Sequence, residues 1–155
     1  MNEQAMSKYI PEAFAGVDVV VESGNYFFFY NPDPAVPPDH MFPWATLMIN
    51  DVNDTFSKLD RPSIYRLNIG VSKATFQSLF GADQRPVSMK NTVQGDPVFS
   101  GYDYTALNQV MPHPVYGKMY WVCVLNPSDA TLETVVRPML DEAYAMARDK
   151  YSKRR

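Results

Sequence analysis

Apolar residues along this chain recur at helical spacing, then at strand spacing, then at helical spacing again. Ala5, Met6, Tyr9, Ala13 and Phe14 mark one helix face over residues 2–14. Pro11 interrupts that face, removes a backbone donor and disfavours helix at Ile10, so the pattern predicts a break there. Val17 to Glu22 is a β-branched run and Tyr26 to Tyr30 an aromatic one, with Ser23-Gly24 between them as a turn signal. The two read as a hairpin whose second strand is covered on both faces. Four prolines between Asn31 and His40 exclude helix and sheet and predict a stiff loop over 31–40. Trp44 to Ile49 reads as a third strand, and Asn50 to Asp60 as a polar loop.

The next strand, Ser63 to Gly70, carries the most information. Tyr65, Leu67 and Ile69 alternate onto one face, and Ile64, Arg66 and Asn68 onto the other. A helix with full start and stop signals follows. Ser72 stands at the N-cap, Val71 and Phe76 at the two ends of a hydrophobic staple, and Gly81 at the C-cap. Residues 82–101 are polar and aperiodic, a length of loop that in a compact domain is often functional. Asp103 is placed to cap a short helix carrying Ala106, Leu107, Val110 and Met111, which Pro112 and Pro114 would end around His113. Met119 to Leu125 is apolar on both faces and reads as a central strand. Leu132, Val135, Val136, Met139, Leu140, Ala143 and Ala147 then fall on a helical stripe. Pro138 fits best at a first helical position, so a short turn near 129–136 and a long helix over 138–151 are expected.

These elements add up to one α+β domain over residues 1–155. About five antiparallel strands would pack against two or three helices, the C-terminal one the longest. A chain of 155 residues with 46% apolar and 20% charged residues can build a core unaided. No apolar run reaches the length of a membrane span, and the start has no signal-peptide pattern, so no membrane partner is expected. One cysteine cannot form an internal disulfide, and a cytoplasmic setting is expected.

The net charge is −3, unevenly spread. Five of the fourteen basic residues lie in 148–155, beside a single acid, Asp149. Residues 1–147 therefore hold nine basic and sixteen acidic groups, a net −7 that disfavours a phosphate backbone as partner. The basic tail fits the negative end of a helix dipole.

The motifs exclude more than they assign. His40, His113 and Cys123 have no ligand spacing, so no metal is expected, and no phosphate-binding glycine loop or nucleophile elbow points to a cofactor. Cys123, in Trp121-Val122-Cys123-Val124-Leu125, reads as core because nothing local would activate a thiol. What remains is polar groups beside apolar strands. His113 is clamped between two prolines and can serve as acid or base, orient a ligand, or satisfy carbonyls at a helix-to-strand junction. Arg66, in mid-strand, needs an acid or a ligand; Asp60 and Asp103 are the acids it would meet. Tyr104, Tyr116 and Trp121 can wall a pocket or fill the core.

Two stretches carry a resemblance. One runs Leu59-Asp60-Arg61-Pro62-Ser63-Ile64-Tyr65-Arg66-Leu67-Asn68-Ile69-Gly70-Val71-Ser72 and on to Phe80-Gly81. The other is Asp103-Tyr104-Thr105-Ala106-Leu107, then His113-Pro114-Val115-Tyr116 and Trp121 to Pro127. Together they resemble the bacterial domain-of-unknown-function family 6194, from about Val17 to Tyr151. The second half is similar, more distantly, to the MmcQ/YjbR-like proteins. Those carry a His-Pro before a Trp-bearing strand and an aromatic near the position of Tyr144 in a C-terminal helix. That likeness implies a compact double-wing domain with a suggested DNA-binding role, and brings no catalytic residue with it.

The expectation that follows is a module binding a small molecule or a protein, without a cofactor, through a pocket formed by Arg66, Asn68, Tyr104, His113, Tyr116 and Trp121. A DNA-binding domain, and an enzyme with His113 as acid or base, stand behind it.

Overall fold

The computed structural model describes residues 1–33, 41–82, 97–99 and 101–153. Most of the proline-rich 31–40 loop, most of the 82–101 loop and the last two basic residues lie outside them. Helix α1 (Glu3–Ala13) starts at Asn2, whose side chain accepts the Ala5 N–H. It runs through Pro11, so the expected break does not occur. Pro11 costs α1 one i→i−4 hydrogen bond, and Met6, Ile10 and Phe14, which bury the same face on both sides of it, outweigh that loss.

Strands β1 (Val17–Glu22) and β2 (Asn25–Tyr30) form the expected hairpin. Ser23 and Gly24 both adopt positive φ, 52° and 83°, the backbone of a two-residue type I′ turn. Strand β3 (Ala45–Met48) pairs with β2, and β4 (Arg66–Gly70) with β3. The expected strand start at Ser63 is shortened, because the Tyr65 N–H is taken by the Asn126 side chain. Helix α2 (Lys73–Phe80) follows with its cap as read: Ser72 accepts the Thr75 N–H, and Gly81 at φ 93° ends it.

The short helix expected after Asp103 is absent. Asp103 instead accepts the Thr105 N–H and hydroxyl in a tight turn, and the chain bends again at Leu107 and Asn108, the latter at φ 58°, before β5 (Met111–Pro112). Too few residues separate Asp103 from Pro112 for a stable helix once Met111 and Tyr104 are drawn into the core. A single 3-10 turn (Gly117–Met119) leads into β6 (Trp121–Leu125). The sheet therefore has six strands where five were expected, all antiparallel, in the order β1-β2-β3-β4-β6-β5. Strand β6 lies between β4 and β5 and is buried on both faces over Val122–Leu125, as its sequence implied.

The C-terminal helix begins earlier than expected. Segments α3 (Asp129–Thr131) and α4 (Arg137–Lys153) are joined without a break by a π-helical turn at Leu132–Val136. There the Arg137 N–H reaches back five residues to the Leu132 carbonyl. That wide turn accommodates the Pro138 ring where a regular turn would clash.

One sheet face carries Phe28, Ala45, Leu47, Leu67, Ile69, Val122 and Val124, and it packs on α1 and α4. The opposite face divides in two. Its Leu125 end is closed by the 49–65 and 102–110 segments around Met48, Leu59, Tyr104, Met111 and Cys123. Its other end stays open. Among the described residues, no helix is long and apolar enough to cross a membrane.

Candidate functional site

The open end exists because of strand register. Phe27, Thr46, Asn68 and Cys123 lie side by side across four strands, and Gly70 faces Trp121. A Cβ on Gly70 would stand 3.0 Å from the Trp121 ring, so glycine lets the indole lie flat across β4. The resulting groove encloses about 860 Å³, within the usual range of small-molecule sites. It runs from the polar stripe on β3 and β4 around the strand ends to Ala143, Ala147 and Lys150 on α4. Phe42, Tyr116 and Met119 line it too and are exposed, Phe42 at 85%, so its mouth is apolar.

A hydrogen-bonded chain forms the floor. The Arg66 side chain is 1% exposed and meets Asp54 through two parallel bonds, Nη1 to Oδ1 at 2.9 Å and Nη2 to Oδ2 at 2.6 Å. Nη1 also donates to Ser57 Oγ at 3.0 Å, and Nε to Asn68 Oδ1 at 3.0 Å. Asn68 Nδ2 then donates to Thr46 Oγ1 at 2.9 Å. Burial pushes the Asp54 carboxyl up, but the Arg66 hydrogen bonds and charge outweigh it and hold it below the ordinary carboxylate value. Arg66 is likewise opposed by burial and held fully charged by Asp54. The mid-strand arginine thus has a carboxylate partner, but not one of those expected. Asp60 accepts the Asp51 N–H and Asp103 caps its own turn. Asp54 lies in a polar loop whose sequence carries no periodic signal.

His113 is fixed by its neighbours. Its N–H donates to the Trp121 carbonyl. Pro114 has no N–H to offer, so the next two, from Val115 and Tyr116, both donate to Nδ1 at 3.0 Å. An Nδ1 that accepts carries no proton, which puts the proton of the neutral ring on Nε2. His113 is 3% exposed and lines the groove, and Nε2 has no protein partner among the described residues. Burial, with the Arg66 charge added, draws its pKa down to about 3 against the pull of Asp54. The imidazole is therefore neutral at ordinary pH and carries its donor on Nε2. It is built to donate a hydrogen bond, not to remove a proton.

Five of the six expected site residues line this one groove: Arg66, Asn68, His113, Tyr116 and Trp121. Tyr104 does not. It is buried in the second core cluster, and its hydroxyl donates to the Pro112 carbonyl at 2.8 Å, bracing the strand just before His113. Cys123 is fully buried, and burial pushes its thiol up to about 12, which leaves it inert. The sequence reading missed Asp54, Thr46, Trp44 and the α4 wall. Thr46 was accessible, since it alternates between apolar neighbours in the third strand. Trp44 is buried, lines the groove, and has an indole N–H without a hydrogen-bond partner among the described residues.

An antiparallel six-stranded sheet, helices on one face and a groove on the open part of the other, defines an α+β protein with a cavity at its strand ends. The chain belongs to a family of unknown function, DUF6194, whose model matches residues 1–155. No curated protein and no solved structure matches it.

Proposed function

We propose that this protein is a small-molecule binding module and that its ligand lies in the groove above Arg66, Asn68 and His113. The observation that carries this reading is His113: a side chain 3% exposed that lines a cavity, held by two backbone donors, with no protein partner for its remaining nitrogen among the described residues. Buried polar atoms are ordinarily paired, so an unpaired donor on a cavity wall supports a ligand acceptor there. The recessed position of that donor favours a small molecule over a protein surface. The fixed Nδ1 supports binding over acid–base catalysis. The MmcQ/YjbR-like resemblance would bring DNA as partner, but the net −7 of residues 1–147 supports it poorly. The lone buried thiol fits a reducing, cytoplasmic setting in a bacterial cell.

The test is titration of the native protein with anilinonaphthalene sulfonate, read by its fluorescence, beside an Ala147→Trp variant that fills the helix-side arm. Saturable binding by the wild type, lost in the variant while circular dichroism and melting temperature hold, supports the groove. No binding, or equal binding by the variant, removes it.

A further inference from the structure

The hydrogen-bonding inventory of the groove restricts what can occupy it. Each acceptor of its buried floor already receives a protein donor. Both Asp54 oxygens receive Arg66, and Oδ1 also receives the Phe56 N–H. Asn68 Oδ1 receives Arg66 Nε, and Thr46 Oγ1 receives Asn68 Nδ2. What is left over donates: His113 Nε2–H, which has no protein partner among the described residues. A ligand hydroxyl or amine at this floor would have to share acceptors that already receive a protein donor. A ligand carboxylate set on this floor would find no unpaired cation among the floor residues, because His113 is neutral and Arg66 already makes two bonds to Asp54; Lys150 lines the groove at its α4 side. Phe27, Trp44, Met48 and Trp121 supply flat and apolar lining along the groove.

We infer that the groove recognises a flat apolar molecule bearing a neutral hydrogen-bond acceptor, a carbonyl oxygen, and that His113 Nε2–H donates to that oxygen. This deepens the binding reading above and rests on it. The carbonyl group completes the one hydrogen bond that His113 leaves open, and the aromatic walls hold the body of the molecule.

Two matched probes test it: a dimethylaminonaphthalene bearing a propionyl group, and its propyl analogue without the carbonyl. Binding is read by energy transfer from the tryptophans. The propionyl probe is expected to bind about tenfold more tightly, the worth of one buried donor paired rather than left unpaired. His113→Asn keeps an acceptor near Nδ1 for the Val115 and Tyr116 N–H groups while withdrawing the outer donor, and should abolish the preference. An independent readout needs no variant: the carbonyl stretch of the bound probe in the wild type should lie below its value in hexane. If both probes bind equally and the stretch stays at the hexane value, the groove stands and the donor assignment falls. If neither binds, the groove reading falls and takes this inference with it.

Discussion

Arg66 is the residue on which the floor depends. It satisfies Asp54, Ser57 and Asn68 at once, so removing it leaves a carboxylate with 9% exposure and two polar side chains without their donor. Breaking a buried pair from one side costs about 3–5 kcal/mol, because the surviving charge stays desolvated. Arg66→Met should lose that much in urea unfolding. The double variant Arg66→Met with Asp54→Asn should lose clearly less than the two single losses added; simple additivity would mean the pair is not coupled. His113 makes a different prediction. Its folded pKa, about 3, lies below the unfolded value near 6.5. The unfolded chain therefore binds a proton that the folded chain refuses, and stability falls as pH drops from about 6.5 toward 3. Asp54, also depressed, adds its own loss only below the ordinary carboxylate range. His113→Asn should thus lose about 2 kcal/mol less than the wild type between pH 6.5 and 5, at about 1.4 kcal/mol per unit. Parallel stability curves would mean that His113 titrates as in water. Strand alternation made the facing of Arg66 and Asn68 legible in sequence. Their carboxylate partner was not, because a loop residue reaches a strand through folding and leaves no periodic trace.

At the scale of elements, local capping chemistry read well and proline read badly. Ser72 and Gly81 delimit α2 as expected, since each acts within a few residues of chain. Pro11 and Pro138 were both taken as boundaries, and neither is. In α1 the apolar face on either side of Pro11 carries the helix through, and before Pro138 a wide turn absorbs the ring. Tertiary burial overrides a local penalty of that size when the flanking residues are fully buried. The cap of α2 also has a part no sequence reading supplied. Glu142, on α4, accepts the Ser72 N–H at 2.7 Å and the Thr75 hydroxyl at 2.6 Å, so one helix caps another across 67 residues. Glu142→Ala should cost about 1 kcal/mol, the usual worth of an N-cap. Ser72→Ala should cost a similar amount, and the double variant less than the sum, since both serve the first turn of α2. Thermal unfolding checks all three, and an unchanged melting temperature in Glu142→Ala would make the tie incidental.

For the whole molecule, the sheet order explains why the groove was half visible beforehand. Arg66 and Asn68 on β4, and Trp121 on β6, are strand neighbours, and the His-Pro motif enters β6 through a tight turn, so sequence pairing alone gathers them. The opposite wall comes from α4, whose position follows from the core packing of Met139, Leu140 and Ala143 against the other sheet face. Nothing in the spacing of Ala143, Ala147 and Lys150 distinguishes a cavity wall from a buried stripe. The groove thus joins two parts that the chain builds separately, which gives a prediction neither part makes alone. If a ligand spans it, amide hydrogen exchange with anilinonaphthalene sulfonate bound should slow in both places together: at Gly70–Val71 and Trp121–Val122 on the strand side, and over 146–151 on the helix side. Residues 146–151 lie near the C-terminal end of α4 as described, where fraying makes exchange fast and protection easy to see. Protection confined to the strands would shrink the site to the His113 corner. Protection confined to the helix would place the probe on an exposed apolar face and leave His113 without an occupant.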